Sequence, residues 1–390
     1  MEPRHFDALL VGGGVASARC ARTLRRGGFA GSIGLVGEEV TPPYNRPPLS
    51  KELLRGEVPE ELILAEPAPW YERRGVELVL GTPATSLDPG VRVVELADGQ
   101  CLHYDQLLLA TGAAPQRPLI PGGERALELR SVDDAVRIRE RAQPAARAVV
   151  VGGGFIGVEV AASLAARGCA VTLLERGSAL WAARLGEVVS DWAVDQLHRA
   201  GVGVRFNASA TAIGPAAVHL GEELVPADLV VAGVGVSPRV ELAIAAGLTV
   251  KDGVVVDKAQ RTSDAAILAA GDVARPARRP RVEHWHAARE SGERAALAML
   301  GQPLTPIRAA WVFSEFGDAA LDVVGWAPRY DELEASDGLV AYLAAGRVVQ
   351  IAILDSAVDV DAARRLVERR PRLPASRWAK AAATLRAGRS

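Results

Sequence analysis

The first chemistry that can be read from this sequence lies in two glycine clusters. In Gly152-Gly-Gly154-Phe-Ile-Gly157, the first glycine permits a tight turn, the second lets a pyrophosphate approach the backbone, and the third lets a helix pack closely on a strand. The apolar run from Ala148 reads as a strand before the cluster, and Val158 to Arg167 reads as a helix after it. The free N–H groups and partial positive charge of that helix would face an anion. Glu175 ends the next strand, Ala170 to Leu174, where a carboxylate can accept from a ribose hydroxyl. A tight structural turn is the plain alternative, but strand, helix and acid in this order favour a dinucleotide. A carboxylate repels the 2′-phosphate of NADPH, so NADH is expected, with NADPH kept open because Arg176 follows and could bind that phosphate.

The other cluster, Gly12-Gly-Gly14-Val-Ala-Ser17, departs from the pattern by placing Ser17 where glycine or alanine usually stands. Serine is small enough to fit, with the helix a little farther from the strand. Glu38, after the strand Ser32 to Val36, is the candidate ribose partner there, and Glu39 is its rival. The two clusters form an internal repeat, Ala8 to Ser17 and Ala148 to Gly157, each followed by helix, strand and acid. A further echo matches Asp105 to Pro115 with Asp228 to Pro238, each a buried strand that stops at glycine and proline.

Continuous apolar strands of this kind need a sheet covered by helices on both faces. The fold class is therefore α/β, doubly wound and Rossmann-like, twice over. A length of 390 residues with 49% hydrophobic content allows two or three domains. The net charge of −2 gives no global pull toward nucleic acid or an anionic membrane. Met1 to Leu10 has no signal-peptide core, and Leu224 to Val236 is interrupted by Pro226 and Asp228, so a cytoplasmic protein with no membrane span is expected. Cys20, Cys101 and Cys169 lie far apart, with no redox dithiol close in sequence and no metal-ligand spacing. Cys20 and Cys169 fall in helical patterns and read as inert thiols.

Two dinucleotide sites suggest FAD at the first and NAD at the second, and Pro42-Pro-Tyr-Asn-Arg-Pro-Pro-Leu-Ser-Lys51 sharpens that reading. With this segment, Ala110-Thr-Gly112, Gly152 to Glu159 and Ala270-Gly-Asp272, the chain resembles the ferredoxin reductases of oxygenase and cytochrome P450 systems over roughly residues 6 to 325. The prolines stiffen a loop that must hold Arg46 and Lys51. The resemblance implies that both lie at the flavin, with Lys51 able to pair with Glu159; two solvated cations on a surface turn are the alternative. It further implies that Gly271 and Asp272 serve the ribityl chain of FAD, against a simple helix cap, and that Thr111 and Gly112 serve its adenine half, against a chain crossover. Trp285 corresponds to a position beside the nicotinamide in some of these reductases, with core packing as the competing reading, and the helix that follows would turn its N-terminus to the flavin.

The expected organisation is an FAD domain from 1–117 and 239–305, an NAD domain at 118–238, and a small α+β domain at 306–390. In the last, Ala309 to Phe313, Asp322 to Val324, Val340 to Leu343 and Val348 to Leu354 read as strands, followed by an Arg-rich helix. The family's Ser-Asp-Gln-Tyr segment is only partly kept in Trp311-Val-Phe-Ser-Glu-Phe316. Two basic runs, Arg275, Arg278, Arg279 and Arg281, and Arg364, Arg365, Arg369, Arg370, Arg372 and Arg377, could steer an acidic ferredoxin or merely be solvated faces. The expected activity is hydride transfer from NADH to FAD and electron transfer to a ferredoxin-type partner, with a homodimer left open. Rival readings are a flavin-binding signalling protein resembling apoptosis-inducing factor, and a quinone or dye reductase without a protein partner.

Overall fold

The continuous apolar runs of the central strands already require two covered sheet faces. In the strand Arg4–Val11, Leu9 and Val11 join one hydrophobic core, while Ala8 and Leu10 join another. In Arg147–Val151, Ala148 and Val150 face one core, and Val149 and Val151 face a second. The period of two along each strand sends successive side chains to opposite faces, and both are filled. The computed structural model describes residues 4–327, 329–355 and 357–387.

The chain forms two compact units. One takes in Met1–Asn45, Glu60–Ala114 and Ser237–Ile307. Its parallel sheet runs Val76–Leu80, Ile33–Gly37, Arg4–Val11 and Cys101–Leu109, with Ile267–Ala269 against the last. Two antiparallel strands, Val93–Leu96 and Ala84–Asp88, extend it. The helices Val15–Arg26 and Trp285–Met299 pack on one face and share a core of Ala16, Cys20, Ala21, Leu24, Ala295 and Ala296. They approach so closely that a Cβ at Gly292 would lie 2.2 Å from the Ala16 carbonyl oxygen.

The other unit takes in Arg46–Pro59, Pro115–Val236 and Arg308–Ser390. Its parallel sheet runs Val202–Arg205, Ala170–Leu174, Arg147–Val151, Leu229–Ala232 and Leu127–Glu128. A five-stranded antiparallel sheet follows in the order Trp311–Phe316, Ala319–Val324, Arg347–Leu354, Leu339–Ala344 and Glu332–Ser336, with the helices Val360–Arg369 and Ala375–Ala387 after it. The doubly wound α/β class is thus adopted twice, with an α+β C-terminal region. That region has one strand and one helix more than the sequence suggested. No helix among the described residues is long and apolar enough to cross a membrane.

Candidate functional site

The two glycine clusters adopt the same local structure, one in each unit. Gly12 has φ 125°, and a Cβ there would lie 2.1 Å from the Ala110 carbonyl oxygen. Gly152 has φ 104°, and its added Cβ would lie 2.5 Å from the Gly233 carbonyl oxygen. Each turn is pressed against the chain leaving a neighbouring parallel strand, which is why neither position tolerates a side chain. Gly14 and Gly154 are the N-caps of the helices Val15–Arg26 and Phe155–Ala166, and neither helix end has a side-chain cap. Space is open at Gly14, with nothing within 4 Å of an added Cβ, and the one atom that near at Gly154 is the Gly233 carbonyl oxygen, at 3.6 Å. Uncapped N–H groups and open space at a helix N-terminus fit a pyrophosphate, so the residues present fit FAD and a pyridine nucleotide.

The third positions differ. A Cβ at Gly157 would lie 1.9 Å from the Gly152 carbonyl oxygen, so the second cradle closes only with glycine there. In the first, Ser17 is fully buried and its hydroxyl has no hydrogen-bond partner. Glu175 is anchored by both oxygens, accepting from Gly153 N at 2.9 Å and Gly177 N at 2.6 Å. The strand end, the glycine turn and the carboxylate are therefore one connected feature, with Arg176 exposed beside it. Glu38 is exposed and pairs with Arg239, whereas Glu39 accepts from the Tyr44 hydroxyl at 2.6 Å.

Lys51 and Glu159 come together in the second unit. Lys51 Nζ lies 2.9 Å from Glu159 Oε2, with both side chains 5% exposed. The amine also donates to the Pro47 carbonyl at 3.2 Å and lies 5.7 Å from the centre of the Phe313 ring. Glu159 further accepts from the Ser50 hydroxyl and, at 2.7 Å, from the Ser314 hydroxyl. Both serines are buried. Sequence reading missed their roles, although Ser50 lies in the Pro-rich segment and Ser314 in the aromatic one. Arg46 is half-buried and donates to the Arg130 carbonyl.

In the first unit, Trp285 opens the helix Trp285–Met299, is half-buried, and donates from Nε1 to Asn45 Oδ1 at 2.7 Å. The Arg289 guanidinium stacks over its ring at 4.3 Å. His284 caps this helix, its side chain accepting from His286 N. Asp272 sits in a single turn, Gly271–Val273, at the end of the strand Ile267–Ala269; Gly271 N donates to the Ser291 hydroxyl at 2.9 Å. Thr111 donates to the Arg239 carbonyl at 2.8 Å, and Gly112 accepts from Arg239 N at 3.0 Å.

Three further expectations meet the structure. Cys20 and Cys169 are buried free thiols, and burial pushes both up in pKa, consistent with inert residues. Cys101 is exposed and free. The basic runs are smaller than they read: Arg364 is buried with Nε on the Ala309 carbonyl, and Arg281 is engaged by Asp252 and Glu283, which leaves the exposed Arg278 and Arg279 as the better part of the first run.

The pattern of the family described as pyridine nucleotide-disulphide oxidoreductase matches residues 6–292. The chain is 34% identical to the ferredoxin--NAD(+) reductase component of the p-cumate 2,3-dioxygenase system of Pseudomonas putida, over 97% of each sequence. Among solved structures, it is similar to a chain of the covalent putidaredoxin reductase–putidaredoxin complex, with TM-score 0.90 and 31% identity over 98% of this chain and 99% of that one. It is similar also to the ferredoxin reductase for the CYP199A2 system from Rhodopseudomonas palustris, with TM-score 0.92 and 29% identity over the same shares.

Proposed function

Because the chain belongs to the pyridine nucleotide-disulphide oxidoreductase family, we propose that it takes a hydride from NADH and passes electrons singly to a ferredoxin-type iron–sulfur protein serving an oxygenase or cytochrome P450. It is an oxidoreductase whose cofactors are FAD and a pyridine nucleotide. The observation that carries the reading is the duplicated cradle, with Gly14 and Gly154 each opening an uncapped helix N-terminus in its own unit. Full-length similarity to a ferredoxin--NAD(+) reductase component supports the acceptor class. A cytoplasmic setting fits its supply of reduced nucleotide.

The chemistry that FAD supplies when bound is acceptance of a hydride and release of single electrons. The chain's own residues bind, orient and set charge. Gly12, Gly14 and Ser17 hold the FAD pyrophosphate at the first helix N-terminus, with Glu38 on its ribose; Thr111, Gly112, Gly271 and Asp272 line the rest of its seat. Gly152, Gly154 and Gly157 hold the pyridine nucleotide, and Glu175, fixed by Gly153 and Gly177, accepts from its ribose and disfavours a 2′-phosphate. In this reading Lys51 would supply a positive charge to the flavin, with its amine oriented by Glu159, and Arg46 would serve the same cofactor. Trp285, held by Asn45, offers an aromatic face that would exclude water from a nicotinamide.

Anaerobic mixing with NADH, followed by a second mix with an oxidised [2Fe–2S] ferredoxin, tests the reading. Rapid flavin bleaching and rapid recolouring by the ferredoxin are expected. Slow recolouring by every iron–sulfur acceptor, with a long-lived reduced complex, would favour the signalling alternative; rapid recolouring by quinones alone would favour the dye reductase.

A further inference from the structure

Trp181 combines two local penalties in one side chain. Its backbone is left-handed, with φ 53° and ψ 22°, a conformation bulky residues rarely adopt. Its indole N–H is buried with no hydrogen-bond partner. Such features persist only where the surroundings over-determine them, and they concentrate at ligand-binding elements.

The surroundings here do over-determine it. Trp181 caps the helix Ala182–Arg199, which is interrupted at Gly186, where φ is 72° and ψ −179°. The C-terminal sheet takes two carbonyls ahead of that break: Tyr342 Oη donates to Leu185 O at 2.8 Å and Gln350 Nε2 to Arg184 O at 3.2 Å. Both donors are fully buried. Gly186, at φ 72° and ψ −179°, holds a conformation that only glycine adopts without strain. The short turn from Trp181 to Leu185 is thus clamped onto the C-terminal sheet.

What the clamp presents is a stack. The Trp181 and Phe155 rings lie 4.9 Å apart at 21°. Phe316 meets Trp181 edge-on at 6.3 Å, and Trp326 stands 6.4 Å from Phe155 with the Arg184 guanidinium 4.1 Å over its ring. Phe155 is the first residue of the helix that Gly154 caps, next to the open N-terminus of the second cradle.

We propose that Trp181 is a positioning residue for the pyridine nucleotide: by stacking flat on Phe155 it fixes the ring at the mouth of the second cradle, so that the C-terminal sheet helps to shape the nucleotide seat. The proposal rests on the reading of Gly152 to Glu175 as the pyridine-nucleotide site. Ring geometry is what it requires, whereas packing alone would require only volume.

The test is equilibrium binding of NAD+ to the flavin-loaded protein by calorimetry, where no turnover occurs, with Trp181→Phe, Trp181→Leu and Trp181→Ala. Loss of one aromatic pair should weaken NAD+ about threefold to tenfold in the Leu and Ala variants and leave the Phe variant within about twofold. A Leu variant that binds as tightly as the Phe variant overturns the proposal, because volume then suffices. Should the Ala variant not fold, the Leu and Phe comparison decides. An unsubstituted protein that binds no NAD+ removes the nucleotide assignment itself, an outcome distinct from a normal binder indifferent to Trp181.

Discussion

Lys51 Nζ lies 2.9 Å from Glu159 Oε2 in surroundings that leave each side chain 5% exposed. Charges withdrawn this far from water persist because they compensate each other, and removing one partner strands the other. Glu159→Gln, or Lys51→Met alone, should cost about 3–5 kcal/mol of stability in urea unfolding of the flavin-loaded protein. The double variant should lose less than the sum, by about 0.5–3 kcal/mol. Additive losses would mean that the two groups do not depend on each other.

Ser17 carries the opposite kind of burial, a hydroxyl at zero exposure with no partner. Leaving such a group unpaired costs about 1–3 kcal/mol. Ser17→Ala removes it and keeps a good helix former, so the flavin-free variant should be more stable by about 1 kcal/mol in urea unfolding. A destabilised variant would show that the hydroxyl is engaged after all.

These two sites show what was legible in the sequence. Gly12 and Gly152 could be read because the constraint on them is local: a turn of positive φ pressed against a neighbouring chain admits only glycine, whatever the rest of the fold does. The Lys51–Glu159 pair came from resemblance alone, and Ser50 and Ser314 were not legible as its partners, since a hydroxyl carries no signal of the distant carboxylate it will meet. The strand Glu332–Ser336 escaped notice because its residues, ELEAS, have weak strand preference and lie at a sheet edge, where charged side chains are at home. The Arg-rich tail read as one helix. Arg370, left-handed at φ 46°, and the prolines Pro371 and Pro374 divide it into two.

A pH dependence follows from Asp322, whose carboxylate accepts from Trp311 Nε1 at 2.6 Å in the C-terminal sheet. Burial raises its pKa, and the Trp311 bond opposes this only in part. An acid with a raised folded-state pKa favours folding fully below its unfolded value, about pH 4, and loses that contribution as pH rises through the folded value. Asp322→Asn cannot ionise but can still accept from Trp311. Its stability relative to the unsubstituted chain should therefore increase from pH 3 to about pH 7, measured as urea midpoints across the range. A difference independent of pH would remove Asp322 as the source.

In the proposed reading the donor preference turns on Glu175, whose two oxygens are held by Gly153 N and Gly177 N. Glu175→Ala removes both the acceptor for a ribose hydroxyl and the charge that repels a 2′-phosphate. The kcat/KM ratio of NADH over NADPH should fall by about tenfold or more, equivalent to ~1.4 kcal/mol of discrimination. Arg176, exposed beside it, would then be free to bind the phosphate. Adding Arg176→Ala should take away the activity gained with NADPH and leave that with NADH unaltered. Steady-state rates with both donors decide the matter: a ratio that does not move in Glu175→Ala would place the source of discrimination elsewhere in the cradle.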